Sequence, residues 1–386
     1  PPKGLRRASR YLFAKEKGGK GEVSSSGALC TALSATIGTG NIVGVATAIV
    51  AGGPGAMFWM WLAAFFGMAT KFAEGVLAVR YRKVYRDGHA LGGPFYYIER
   101  GLGPKFKWLT VLFAVFGMCV GLFGIGTFTQ VNSISSAVNE IIPSSTVSFL
   151  GGEFTVSTIV SGAILTVIVA LVLIGGVKRI AKVSEMVVPF MAIIYILFGL
   201  IVIFTNVTAL PEAFRQIFVG AFNPRAVAGG AAGSILAAMQ MGIARGVFSN
   251  EAGLGSAPIA AAVASTREPV RQGLVSMTGT FIDTLIVCTM TGLTIIITGS
   301  WNIGQEGVGV TIAAFSQGLP GFLGEAGPAI LLVCLIFFAF TTILGWNFYA
   351  ERCLEYLVGR NKKAILTEVL QQKNLNYFLR ISARRN

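Results

Sequence analysis

The residues of this chain that could do chemistry are few, mostly neutral, and set in apolar surroundings. Gly38-Thr39-Gly40-Asn41 interrupts one long apolar stretch, and Asp283 lies in the middle of another, among Phe281, Ile282, Leu285 and Ile286. Thr341 and Thr342 are followed one turn on by Trp346, and Gln130 adjoins Phe128 and Thr129. Two glycines flanking a threonine make a poor central helix turn, because each Gly costs about 1 kcal/mol relative to Ala. A break there frees backbone N–H and C=O groups, which survive among hydrocarbon only where they line a cavity or bind something. The free N–H groups opening a second half-helix suit a carboxylate. The carbonyls closing the first half suit Na+ or an ammonium, so one stretch can hold both ends of a zwitterionic amino acid. Paired threonine hydroxyls can complete the oxygen shell of a hard cation. Asp283 has no basic residue in its own segment, and reads either as an ion ligand or proton carrier or as a carboxyl bonded to nearby backbone.

Each motif also has a plainer explanation. Gly40 and Gly44 have the four-residue spacing of a helix-packing face. Thr341 and Thr342 can bond back to their own helix carbonyls. Gln130 can glue helices as readily as it touches a substrate. Lys71 and Glu74, three apart, suit a structural ion pair, while Arg245 and Glu251 could pair with each other or with Glu74. The glycine run has no preceding strand and no following Gly-Lys-Ser/Thr, so it is not a nucleotide loop. Enzyme chemistry lacks its groups: the single histidine, His89, falls in a loop. Cys30, Cys119, Cys288, Cys334 and Cys353 show no paired spacing, so neither a disulfide framework nor a zinc site is indicated. No organic cofactor is expected.

The elements that must position these residues are membrane helices. Hydrophobic residues make up 54% of the chain and charged ones 12%, against roughly 25% charged in an ordinary soluble domain. Eight apolar stretches reach or exceed the ~20 residues needed to span a bilayer: 27–51, 55–79, 108–138, 155–176, 183–206, 230–263, 272–298 and 327–351. With the N-terminus inside and the sides alternating, the inner pieces hold 27 of the 31 Lys and Arg. That is the positive-inside asymmetry, and it places both termini in the cytoplasm. The net charge of +14 thus orients the protein, and nucleic acid is not an expected partner. The chain divides into a basic lead-in (1–26), a core of about eight spans (27–359) and a polar basic tail (360–386). It begins Pro1-Pro2 without Met, so its N-terminus is expected to be incomplete or processed.

A second interruption is expected in the sixth segment at Gln240–Gly246, continuing as Val247-Phe248-Ser249-Asn250-Glu251-Ala252-Gly253-Leu254-Gly255, a run too polar to face lipid. Broken first and sixth segments heading two halves are the pattern of inverted-repeat transporters, whose unwound helices hold substrate and ion near the midplane.

Several runs carry a resemblance. They are Ala35–Ile42, Gly52-Gly53-Pro54-Gly55-Ala56, Trp59-Met60-Trp61, Gly67–Glu74, Gly92-Gly93-Pro94-Phe95-Tyr96-Tyr97 and Gly246–Pro258. Over roughly residues 20–360 the chain resembles the alanine or glycine:cation symporters. The resemblance implies an all-α, leucine-transporter-like fold in the cytoplasmic membrane, with Na+ (in some members H+) driving uptake of alanine or glycine. It implies that Gly38, Thr39, Gly40 and Asn41 meet the substrate carboxylate, with Gln130, Thr342 and Trp346 lining the pocket. It also places Na+ on the main chain of Ser34 and Ile37 and the hydroxyls of Thr341 and Thr342, with Asp283 near a second cation. The family carries a further helix before this start and two further spans after the eighth segment. A truncated member, and even a non-transporting remnant, is therefore an alternative expectation, as is a same-fold carrier of another small amino acid. The oligomeric state is left open.

Overall fold

Ser24 opens the first apolar segment by accepting a hydrogen bond from the Gly27 N–H at 2.8 Å, a side-chain cap on an otherwise orphan donor. The computed structural model describes residues 2–13, 19–124, 126–142, 144–149, 152–222 and 235–360. The tail 361–386 and the start of the expected sixth segment, 230–234, lie outside the described residues. An N-terminal helix α1 (Pro2–Phe13) precedes α2 (Ser25–Thr36), a π-helical turn (Gly40–Gly44) and α3 (Val45–Gly52). The chain continues through α4 (Ala56–Tyr81), a short hairpin β1 (Lys83–Val84) and β2 (Ala90–Leu91), and α5 (Pro94–Gly101). Then come α6 (Lys107–Phe123), α7 (Phe128–Ile141), the antiparallel pair β3 (Thr146–Phe149) and β4 (Gly152–Thr155), α8 (Val156–Leu173) and α9 (Gly176–Thr205). The second half holds α10 (Leu210–Phe222), α11 (Ile235–Asn250), α12 (Ala257–Ala261), α13 (Pro269–Thr280), a π-helical turn (Phe281–Cys288), α14 (Thr289–Thr298), α15 (Val308–Gly318) and α16 (Phe322–Val358).

Among the described residues, six helices are long and apolar enough to cross a membrane, or seven if the bent pair α2 and α3 is one span. Seven of the eight expected segments are found there. The sixth is represented by α11 and α12, too short to qualify. The third, expected as one long helix, is two: α6 ends at Phe123 and α7 begins at Phe128. The outer surface is greasy, with Phe65, Phe66, Phe116, Leu171, Ile174 and Phe204 all exposed, as bilayer-facing helices require. The amphipathic loop helix α5 turns Phe95 inward, fully buried and stacked on Tyr356 at 4.8 Å. The largest buried cluster lies where α2, α9 and α16 meet, through Leu33, Ile37, Met191, Tyr195 and Phe338.

Only one of the two glycine motifs breaks its helix where expected. In the sixth segment α11 runs unbroken through Gln240–Gly246. A methyl built on Gly242 would overlap the Ala56 carbonyl, and one on Gly246 would press on Met60. These glycines are a close-packing face against α4, and the interruption lies downstream of them. In the first segment nothing stands within 4 Å of a methyl on Gly44, while one on Gly40 would meet Phe248 and Ser249 at ordinary contact distance, so the two glycines do not form a joint close-packing face. Gly242→Val is expected to push α11 off α4 and destabilise the protein by about 1–3 kcal/mol, the usual range for overpacking. A thermal melt in detergent measures it, with Gly44→Val as the tolerated comparison.

Candidate functional site

The first break is at Ile37–Thr39, where the two parts of the segment bend by 55°. Ile37 leaves the helix with ψ 94. The Gly38 N–H, which an unbroken helix would give to the Ser34 carbonyl, donates to Asn41 Oδ1 at 2.9 Å. The chain then winds into the π-helical turn Gly40–Gly44, a wide turn that recurs at functional sites. The second break follows Asn250. Glu251 takes a positive φ of 56, and Gly253 and Gly255 follow with 87 and 77. The helix restarts at Ala257 with Pro258 in its first turn. Asn250 Oδ1 accepts the Ala252 N–H at 3.0 Å, and Glu74 Oε1 on α4 accepts the Gly255 N–H at 3.0 Å. Glu74 therefore satisfies the second break instead of closing an ion pair with Lys71. Buried Lys71 lies within electrostatic reach of Glu251, Glu74 and Asp283. Arg245 leans over the Phe248 ring at 5.9 Å, while Glu251 accepts the Ser256 hydroxyl at 2.5 Å.

The breaks meet through α16 on one side and the Phe281–Cys288 turn on the other. On α16, Thr342 donates to the Phe338 carbonyl at 2.9 Å and comes within 3.4 Å of the Ile37 carbonyl. A methyl on Gly38 would overlap Thr342 Oγ1, and one on Gly345 would stand 2.6 Å from the Ala35 N, so α16 packs directly against the first break. Thr341 bonds back to Phe337 and Phe338 at 3.1 and 3.0 Å and contacts Met191 on α9. The Ser34 hydroxyl turns to Thr31 at 2.8 Å. Both threonines thus show the back-bonding of the plainer reading, and Thr342 also reaches the break.

Asp283 is fully buried and joined to both breaks. Its Oδ1 accepts from Asn41 Nδ2 at 2.8 Å, and its Oδ2 accepts from the Ser249 and Thr284 hydroxyls at 2.9 and 2.7 Å. Thr291 donates to the Asn41 carbonyl at 2.7 Å and meets Tyr195 at 2.6 Å. Gly40 faces Phe248 and Ser249 at ordinary contact distance. The structure therefore brings Ile37, Gly38 and Thr342 together at one end, and Asn41 and Asp283 together at the other. Thr39 is buried beside them. Trp346 closes a further side, packing on Gly126 between α6 and α7 and edge-on to Tyr349 at 5.5 Å. Gln130 is buried on α7, which runs along α16.

Sequence reasoning missed Ser249 and Thr284 as partners of Asp283, and Thr291 as the partner of the Asn41 carbonyl. A signal existed: Thr280, Thr284, Thr291 and Thr294 recur near helical spacing, and all are fully buried. The arrangement offers backbone carbonyls, hydroxyls and one carboxylate around two unwound turns. Such a set holds a hard cation and a polar solute and lacks an activated nucleophile.

The chain is similar in sequence to known transporters and in fold to a solved structure. The chain is 55% identical over 98% of its length to an uncharacterized transporter of Haemophilus influenzae, covering 80% of that protein. It is 47% identical to the sodium/alanine symporter AgcS of Methanococcus maripaludis, over 91% of this chain and 75% of that one. In fold it matches the crystal structure of MhsT in complex with L-phenylalanine, with a TM-score of 0.64 at 17% identity, over 95% of this chain and 81% of that one. The model of the sodium:alanine symporter family matches residues 2–373, and with two broken segments meeting in a multi-pass helical bundle, the chain belongs to that family.

Proposed function

We propose that this protein is a secondary transporter that carries a small zwitterionic amino acid, alanine or glycine, into the cell with Na+ by alternating access. The observation that carries the reading is the junction of the Ile37–Thr39 break with Thr342 on α16 and, through Asn41, with Asp283. Gly38, Thr39, Gly40 and Asn41 receive the substrate carboxylate, where half-helix N–H groups and their dipole favour an anion. Gln130, Thr342 and Trp346 line the pocket. Na+ sits among the carbonyls of Ser34 and Ile37 and the hydroxyls of Thr341 and Thr342. Asp283, Ser249, Thr284 and the Asn41 carboxamide supply oxygens from three segments to a second cation. Cation binding orders the broken segments, substrate fills the neighbouring space, and the bundle rocks to release it. The basic loops orient the chain in the cytoplasmic membrane with both ends inside.

Uptake of labelled alanine by proteoliposomes, with and without an inward Na+ gradient, tests this reading. Saturable uptake that collapses without Na+, or when the ion is replaced by a proton gradient, is the expected result. Thr342→Ala is expected to lower the apparent Na+ affinity by roughly 10–100-fold, the scale for removing a group that supports a metal site. Unaltered Na+ dependence in Thr342→Ala would disprove the ion-site assignment, and competition by an amino-acid panel fixes the cargo.

A further inference from the structure

The chain's single histidine lies outside the transport site, at the face where most basic residues gather. Immediately before α2, the lead-in residues 19–24 form a strap against the end of the sixth segment. Glu22 and Val23 N–H groups both reach the Val263 carbonyl, at 2.8 and 3.3 Å, and Ser265 N–H donates to the Val23 carbonyl at 2.6 Å. Arg82, just beyond α4, locks this pairing by donating to the carbonyls of Ala262, Ala264, Thr266 and Lys20, all at 2.5–2.6 Å. The strap thus ties the end of the half-helix α2 that lies away from its break to the stretch that follows the half-helix α12. These are the two half-segments that would have to part for the bundle to open on this face.

The strap is fastened to α16 by a buried charge cluster. Arg352, 2% exposed, donates to both carboxylate oxygens of Glu22 at 2.9 and 3.1 Å and to Glu355 at 3.1 Å. His89, in the turn between β1 and β2, fills the remaining side. Its Nδ1 faces Glu22 Oε1 at 3.3 Å, and its Nε2 faces Glu355 Oε1 at 2.6 Å. Ala90 N–H adds a bond to Glu22 at 3.1 Å. With a carboxylate opposite each ring nitrogen, the imidazole serves both only when doubly protonated. Arg352 Nη1 also lies 2.8 Å from Nε2 and 3.3 Å from Nδ1, so the guanidinium competes with the carboxylates for the ring, and the shorter 2.6 Å Glu355 contact favours the protonated form. Two carboxylates, one guanidinium and one imidazolium sum to zero charge, whereas a neutral ring leaves one buried negative charge uncompensated. The other groups facing His89 are the Tyr85 ring at 5.5 Å and Asp87, which accepts the backbone N–H of His89 at 3.2 Å and pairs with Arg360.

We propose that Glu22, His89, Arg352 and Glu355 form a proton-controlled latch that holds the strap and α2 against α16 and loosens as the pH on that face rises. The latch is a regulatory device separate from the transport site. Burial alone would lower the His89 pKa, but its hydrogen bonds to Glu22 and Glu355 outweigh burial and raise it above the usual 6.5. For Glu22, burial works upward, yet the His89 hydrogen bond and the Arg352 charge hold it below the usual 4.5. The signs follow from linkage. The His89 contribution is complete below about pH 6.5 and disappears as pH climbs through its raised pKa. The Glu22 contribution is complete above about pH 4.5 and disappears as pH falls through its lowered pKa. The latch is therefore tightest in mildly acidic solution and weakens toward alkaline pH.

Pulsed electron paramagnetic resonance on the full chain in nanodiscs tests this without any transport measurement. Lys20 and Arg86 have exposed side chains on the two sides of the latch, and Lys20→Cys with Arg86→Cys in a background free of native cysteines takes the spin labels. At roughly pH 5.5 one narrow distance distribution is expected, and at roughly pH 9 a second, longer population beside it. In His89→Gln, which cannot gain the proton, the two distributions should coincide. A wild-type distribution unchanged between the two pH values, or a shift that persists in His89→Gln, overturns the latch. The consequence for transport, faster turnover as the pH on that face rises, rests on the proposed symport. Loss of uptake with the distance change intact would reject that symport reading and leave the latch standing.

Discussion

Gly38→Ala is expected to weaken the Na+ dependence of uptake severely while Gly44→Ala, six residues on, leaves it intact. The added methyl at Gly38 would fall on Thr342 Oγ1. A β-branched side chain buried at 2% exposure has few rotamers to retreat into. It can escape the clash only by turning its hydroxyl away from the Ile37 carbonyl, now 3.4 Å away, or by pushing α16 off the first break. The second route also pulls apart the close approach of Gly345 to the Ala35 backbone. Either response removes one oxygen from the proposed Na+ shell and shifts the carbonyls that supply the others. The apparent Na+ affinity should fall by roughly 100-fold, the upper end of the range for disturbed metal sites. A Na+ titration of alanine uptake measures it. Wild-type Na+ dependence in Gly38→Ala would show that Thr342 and Ile37 do not hold the coupling ion. At Gly44 a methyl meets nothing within 4 Å, so a loss there would point to general fragility of the segment and not to a cation site.

The first break was legible because Gly-Thr-Gly-Asn combines two poor helix formers with a side chain able to bond backbone, and Asn41 does cap the freed Gly38 N–H. The second was misplaced, expected at Gln240–Gly246 and found at 251–256, for a reason that sequence alone hides. Gly242 and Gly246 serve close packing, and whether a glycine bends a helix or lets a neighbour approach depends on what lies opposite it. The true break begins at Glu251, a non-glycine residue at positive φ, which residue preference argues against. Its partner Glu74, on α4, is distant in sequence. The span order came from apolar run length, a local property. The outer helix α10 did not show itself, since its fit depends on Gly55 and Gly220 lying against each other. Asp283 was singled out correctly as unusual, but its bonds to Asn41 and Ser249 join residues 242 and 34 positions apart, beyond the reach of spacing rules. His89 was read as a loop residue, and its burial between two acids from opposite ends of the chain was equally invisible.

Asp283→Asn is expected to uncouple the second cation from transport while the protein still folds. The substitution keeps size and one oxygen, but it removes the negative charge and replaces one acceptor with an NH2 donor. Three donors now converge on the carboxylate: Asn41 Nδ2 and the hydroxyls of Ser249 and Thr284. An amide cannot accept all three, so at least one buried donor is left unmet, at a cost of about 1–3 kcal/mol. The hydroxyls can rotate toward other acceptors, so the fold should survive with a lowered melting temperature. A monovalent cation loses more, because the carboxylate is the anionic member of its proposed shell and no formal charge replaces it. Half-saturation by Na+ should rise by at least roughly 10–100-fold, and the steepness of the Na+ titration should fall toward that of a single site. Alanine affinity at saturating Na+ should change less, since the half-helix N–H groups at Gly38–Asn41 remain. Thr284→Val, which removes one oxygen but no charge, separates the effects: it should lower stability and raise half-saturation by Na+ by less than Asp283→Asn does, with the steepness of the titration kept above that of a single site. If Asp283→Asn instead keeps both the midpoint and the steepness of the wild type, Asp283 is a hydrogen-bonding hub between the breaks and the second cation lies elsewhere.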